Sequence, residues 1–160
     1  MERNQGDVAL MKEPAVQPLL RSTIPARFAY TWTDGTPRVV PIWFHWNGEA
    51  LVLGTPPTAP KLKALARNRR VALTIDENGF PARVLMVRGE ATIDMVPGVT
   101  NEYAACAVRY LGEEQGRAWV GQVGQLFRQM ARITIRPEWV GFLDFQSRFP
   151  SAIAKAMGGA

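Results

Sequence analysis

Arg38-Val39-Val40-Pro41-Ile42-Trp43-Phe44-His45-Trp46, then Asn47-Gly48-Glu49, then Ala50-Leu51-Val52-Leu53-Gly54-Thr55: two apolar runs around a tight polar break decide the fold of this 160-residue chain. β-Branched and aromatic residues fill both runs, the composition of a pleated, half-buried surface. Asn-Gly is a strong hairpin signal because both residues tolerate positive φ. Pro56-Pro57 ends the returning strand, and Thr58-Ala59-Pro60 opens onto Lys61. Leu62, Leu65 and Ala66 then recur at helical spacing, with Lys61, Lys63, Arg67 and Arg69 on the other faces, which predicts a short amphipathic helix. Hydroxyls, an ammonium group and a helix N-terminus therefore meet at one junction, and Thr55, Thr58 and Lys61 form a candidate phosphate site. A cation in the first turn opposes the helix dipole, so Lys61 is best explained with an anion beside it.

Outward from that junction the pattern stays mostly β. Residues 27–33 form a predicted strand that turns at Asp34-Gly35 into a single strand over 37–46, and 50–55 returns after Asn47-Gly48. Val71, Leu73 and Ile75 alternate through 71–76, residues 77–79 turn the chain, and 83–95 is a long strand with a bulge or bend near Gly89. Thr100 is a candidate N-cap for a helix ending at Leu111-Gly112, with Tyr103, Ala104, Ala107, Val108 and Leu111 as its apolar face. Residues 113–130 read as helix weakened by Gly116, Gly121 and Gly124. Strand patterning returns at 131–136 and 139–145 around Pro137. The expected organisation is an N-terminal arm over 1–26 with a frayed start, one barrel domain over 27–145 and a tail over 146–160 with no assignable structure. Short turns between strands, with helices gathered at particular junctions, predict a mainly β protein, an antiparallel barrel with peripheral helices. No GxGxxG follows a strand, which excludes a dinucleotide-binding Rossmann reading.

Composition narrows function further. A lone Cys106 without Cys/His partners at ligand spacing gives neither a disulfide nor a metal site, and a reducing cytoplasm is the expected compartment. No stretch reaches membrane-spanning length, and residues 1–16 carry Glu2, Asp7 and Glu13 rather than a secretory or transit pattern. The charge of +5, from 19 Lys+Arg against 14 Asp+Glu, is mostly arginine, which favours carboxylate or phosphate contacts. Without a helix-turn-helix, zinc-finger or RNA-recognition signature, no nucleic-acid or membrane partner is expected. His45 sits in an apolar strand and reads as a packed or surface histidine rather than a general base, and Cys106 as a small core residue. Trp46, Trp119 and Trp139 read as core or subunit-interface aromatics, with Trp43 equally a ligand contact. Glu138 and Asp144 form no carboxylate pair, so no catalytic side chain is assigned.

The segments 34–44, 54–61, 65–73, 87–91 and 132–140, in this order and spacing, resemble the flavin-binding split β-barrels related to pyridoxamine 5′-phosphate oxidase. The resemblance runs from about Arg27 to Phe145. It implies a Greek-key split barrel that works as a homodimer, with a flavin at the subunit interface. It also implies that Val39, Val40, Pro41, Ile42 and Trp43 lie along the isoalloxazine ring, with Thr55, Thr58 and Lys61 at the ribityl phosphate. FMN is the implied cofactor, acting on a small-molecule substrate. Trp43-Phe44 after a proline, together with Lys61, is similar to the branch that uses the deazaflavin coenzyme F420, whose anionic tail Arg38, Arg67, Arg69 or Arg70 would meet. A flavin, F420 or haem carrier without turnover is the non-enzymatic alternative. The oxidase pattern itself is incomplete: Ala59-Pro60 replaces a basic residue ahead of Lys61, and Phe44 stands near where a further phosphate-contacting lysine is expected. The Arg/His-bearing C-terminal signature is also absent, so the resemblance does not extend to vitamin B6 oxidation.

Overall fold

The computed structural model describes residues 4–158; the first three residues of the expected arm and the Gly159-Ala160 end of the tail lie outside them. Seven strands alternate with short helices: β1 (Ala26–Thr31), β2 (Pro37–Ile42), β3 (His45–Trp46), β4 (Leu51–Thr55), α2 (Pro60–Arg67), β5 (Arg70–Asp76), β6 (Val84–Pro97), α3 (Asn101–Leu111), α4 (Glu113–Leu126) and β7 (Gln129–Leu143). A 3-10 turn (Val8–Lys12) and α1 (Gln17–Leu20) precede them, and α5 (Ser151–Ala156) follows. All pairings are antiparallel, in the order β2-β1-β5-β6-β7-β4-β3. The first and last strands of that order are neighbours in sequence, separated only by Trp43 and Phe44. The chain thus stitches the two edges of the sheet together, which bends seven strands into a barrel.

That stitch corrects the expected single strand over 37–46. Val40 and Ile42 face inward beside β1, Phe44 is fully buried, and His45-Trp46 continue against β4 instead. Changing partners at Trp43-Phe44 brings the two ends of the strand order together in sequence and buries Phe44 in the core. The expected break near Gly89 is a register shift between Arg88 and Gly89. A Cβ on Gly89 would lie 2.2 Å from the Arg136 carbonyl oxygen, so only glycine lets β6 and β7 pass there.

The described part of the arm is packed, not frayed. Asp7 caps the 3-10 turn by accepting from the Ala9 amide at 2.8 Å, and Leu10, Met11, Val16, Leu19 and Leu20 join the barrel core. Gln5 both donates to the Phe142 carbonyl (2.6 Å) and accepts from the Phe142 amide (2.8 Å), docking the segment on β7. The reason is burial: five large apolar side chains leave water, at about 1.5–3 kcal/mol each before entropy. The tail, too, has structure, the exposed turn-and-a-half of α5.

α3 begins at Thr100, whose hydroxyl accepts from the Tyr103 amide at 3.2 Å, and ends at Gly112 with φ +86°, as expected from the sequence. Its packing face is rotated from the expected one. Tyr103, Cys106, Ala107 and Tyr110 meet the body, while Leu111 is exposed. α4 follows at once and packs mainly on α3.

Candidate functional site

The eight residues singled out from sequence fall into three places. Thr55 and Lys61 come together: β4 ends at Thr55, the Pro56–Ala59 loop turns the chain into α2, and the Lys61 ammonium donates to the Thr55 hydroxyl at 3.2 Å. Thr55 is buried and Lys61 half-buried, and burial pushes the Lys61 pKa below the ordinary lysine value. Lys61 has no acidic partner among the described residues. Ala59 offers α2 no side-chain cap; Pro60 has no amide hydrogen and the Leu62 amide donates to the Ala59 carbonyl at 3.0 Å, so the Lys61 amide is the first-turn donor left for another acceptor. A desolvated ammonium, a hydroxyl and the Lys61 amide in one place are a donor set suited to a phosphate. Thr58 is exposed on the loop between them.

Pro41, Ile42 and Trp43 line a pocket of about 430 Å³ with Pro25, Gly54, Tyr103 and Trp119. Its walls follow from local packing. Gly54 and Thr55 are successive residues of β4 and so point to opposite faces. A Cβ on Gly54 would come within 2.9 Å of two Tyr103 side-chain atoms, so the missing side chain is what admits the tyrosine. Trp43 stacks on Tyr110 (centroids 5.1 Å apart, 17° between planes) and tilts against Tyr103 (5.7 Å). The Tyr110 hydroxyl donates to the Ile24 carbonyl at 2.9 Å, and the Trp119 indole donates to the Tyr103 hydroxyl at 2.9 Å. Arg132 clamps the start of α3 through Glu102 at 3.0 Å.

Val39 and Val40 belong to neither group. Val39 points outward and is 65% exposed, whereas Val40 packs against the core. β2 is a terminal strand of the order with only β1 beside it, and Pro37 and Pro41 carry no amide hydrogen, which blunts that edge.

Tyr103, Tyr110, Trp119 and Arg109 were not marked as site residues in the sequence, although they surround Trp43 or the bend that carries it. The signal was present as spacing. Tyr103 and Tyr110 are two helical turns apart, and Gly116 sits three residues ahead of Trp119. A Cβ on Gly116 would lie 2.6 Å from the Val108 Cα, so this glycine is where α4 crosses α3 closely and lays Trp119 over Tyr103. Trp119, one of the expected core or interface aromatics, is 40% exposed in the described chain.

His45 is half-buried, and burial first, then the Arg109 charge, lowers its pKa; it stands in a two-residue strand as a packed histidine. Cys106 is buried, with its thiol pushed up to about 11 by desolvation, as suits a core residue. No cluster of three metal-ligating side chains occurs among the described residues, and no described helix is long and apolar enough to cross a membrane.

Comparison with known proteins agrees with this architecture. A family model described as pyridoxamine 5′-phosphate oxidase matches residues 13–144. No curated protein matches the chain. Solved structures with the same fold include a protein named F420 reductase, at 24% identity over 78% of this chain and 94% of that one, TM-score 0.58. A conserved hypothetical protein from Mycobacterium tuberculosis is 17% identical over 91% of both chains, TM-score 0.68. The haem storage protein HutZ from Vibrio cholerae is 18% identical over 81% of this chain and 92% of that one, TM-score 0.59. At these identities the structures speak for the fold alone, while the family model spans most of the sequence: the chain belongs to the pyridoxamine 5′-phosphate oxidase family.

Proposed function

We propose that this protein binds FMN and acts as an oxidoreductase on a small-molecule substrate, as a homodimer whose two subunits line the cofactor site. The observation that carries the reading is the Lys61–Thr55 pair: a half-buried ammonium at 3.2 Å from a buried hydroxyl, at the start of α2 and with no carboxylate among the described residues to neutralise it. Holding an ammonium there is unfavourable unless an anion joins it. Lys61 and Thr55 would hold the phosphate, with Thr58 reaching it from the exposed loop. The strand from Val39 to Trp43 would lie along the ring, offering backbone groups to its polar edge and Trp43 as an apolar shield. When bound, the flavin supplies the hydride chemistry; the chain's own residues bind, orient and keep water away. A catalytic side chain is not required by this reading.

A second reading exchanges FMN for coenzyme F420. It is favoured by the exposed Arg67, Arg69 and Arg70, which follow the phosphate lysine on α2 and β5 and would meet an anionic tail. The likeness to a protein named F420 reductase points the same way. A carrier without turnover is the remaining alternative, and the fold shared with HutZ extends it to haem.

Native mass spectrometry of the untagged protein, alone and with FMN or F420, tests these readings together. Two FMN per dimer is the expected result. F420 retained in place of FMN selects the second reading. A protein that takes up neither cofactor overturns both. Acceleration of the reduced cofactor's oxidation by candidate acceptors, relative to free cofactor, then separates an enzyme from a carrier.

A further inference from the structure

We infer that the pocket between Trp43, Tyr103 and Trp119 is a substrate site for planar, uncharged aromatic compounds that carry a hydrogen-bond acceptor such as a carbonyl. The inference rests on the proposed cofactor site for its redox meaning, since Pro41, Ile42 and Trp43 belong to both.

Four observations select that chemistry. The seven lining residues bring no formal charge, so the pocket gives an ionic ligand no partner of its own. Its walls are π faces: Trp43 on the strand bend, Tyr103 on α3 and Trp119 on α4, with Pro41, Pro25 and Gly54 as low-relief apolar surface between them. A volume of about 430 Å³ suits a ligand of two or three fused rings. Finally, the Tyr103 hydroxyl accepts from the Trp119 indole at 2.9 Å, which commits an acceptor lone pair and leaves the phenolic proton to be donated. A ligand carbonyl is the acceptor that proton calls for. Trp119 thus sets both the width of the pocket and the orientation of the Tyr103 hydroxyl. It is held there by the close α3–α4 crossing at Gly116 and Gly54's missing side chain beneath Tyr103.

Isothermal titration with three probes tests this on the full-length protein, both free and loaded with whichever cofactor it retains. 2-Acetylnaphthalene is planar with a carbonyl, 2-ethylnaphthalene has the same shape without it, and cyclohexyl methyl ketone has the carbonyl without the plane. The first is expected to bind once per chain, about three- to tenfold more tightly than the second, the worth of one hydrogen bond. The third is expected to bind more weakly than either. Tyr103→Phe should erase the difference between the two naphthalenes. Trp119→Ala should weaken both by about tenfold, while uptake of cofactor, followed separately by mass spectrometry, stays unchanged. Trp119 is on an exposed helix face, so its loss spares the core, and Tyr103→Phe supplies a conservative second variant.

Absence of 2-acetylnaphthalene binding to protein that retains cofactor overturns the inference and leaves the proposed function standing. Displacement of the naphthalene by cofactor also overturns it, because the pocket is then the ring's own seat. Probe binding by protein that takes up no cofactor overturns the substrate assignment and, with it, the proposed function.

Discussion

The Arg109 guanidinium donates to the Phe44 carbonyl, 65 residues away, and lies against two rings, with its central carbon 5.0 Å from the centroids of Phe44 and Tyr110. Phe44 is where the chain leaves β2 and enters β3. Its carbonyl has no regular ladder to join at that bend, and a side chain from α3 satisfies it. Arg109→Met keeps much of the apolar stem and removes the donor. It should destabilise the fold by about 1.5–3 kcal/mol, the worth of a hydrogen bond to a charged group. Arg109→Lys should recover only part of that, because the guanidinium plane that packs between the rings is lost. Urea denaturation of the three proteins measures both effects.

Gly54 and Gly116 act as spaces rather than as hinges. Alanine at Gly54 would drive Tyr103 off β4, and alanine at Gly116 would wedge α4 away from the Val108 backbone. Each should cost about 1–3 kcal/mol from overpacking. Gly116→Ala separates Trp119 from the Tyr103 hydroxyl and shifts tryptophan emission to the red, whereas Gly121→Ala, with open space at its Cβ, should leave stability unchanged or raise it by about 1 kcal/mol through helix propensity.

Cys106 should resist modification while the protein is folded. It is buried, and desolvation holds the thiol up to about 11, so at neutral pH almost no thiolate exists. A disulfide reagent added at pH 8 is expected to titrate no thiol until denaturant is added, and one per chain afterwards. Because folding raises this pKa from 9.0, the neutral thiol's contribution is fully present below pH 9 and is lost as pH rises through about 11. Tyr110, raised chiefly by burial, adds to the same alkaline loss. Cys106→Ala should flatten the alkaline limb of the stability curve without moving the neutral plateau's midpoint in pH.

What was legible in the sequence was what short-range physics determines. Asn47-Gly48, Thr100 with Gly112, and the Gly89 interruption each name a local backbone need, and each lies where the structure has a turn, a capped helix or a register shift. The Thr55–Lys61 pair was legible because only six residues and one loop separate its members. Illegible features depend on partners far along the chain. Nothing local says that Trp43-Phe44 changes strand partner, since that is decided by closure of the barrel. Leu10, Leu19 and Leu20 looked like an unpatterned arm because their partners are barrel residues from Phe28 onward. The apolar side of α3 was misplaced by one position of rotation because periodicity gives a stripe's width better than its centre, and Trp43 and Gly54 set the centre.

Lys61 offers the most discriminating test of the proposed phosphate site, because its charge and its environment disagree. Burial lowers its pKa in the free protein, and a bound phosphate dianion would raise it again. Phosphate binding is therefore coupled to holding the proton on Lys61. The affinity for FMN should stay level below the depressed free-state pKa of the lysine. As pH rises through that value it should fall, by at most about tenfold per pH unit for one proton. Riboflavin, which lacks the phosphate, should show no such slope. Lys61→Met keeps the buried stem and removes the charge. It should weaken FMN by about ten- to a hundredfold, the worth of one charge-assisted contact, abolish the slope and leave riboflavin unaffected. Fluorescence titration of both flavins from pH 6 to the lysine range, for wild type and variant, reads all of this. Equal loss of both flavins would place Lys61 in the fold rather than in the phosphate site.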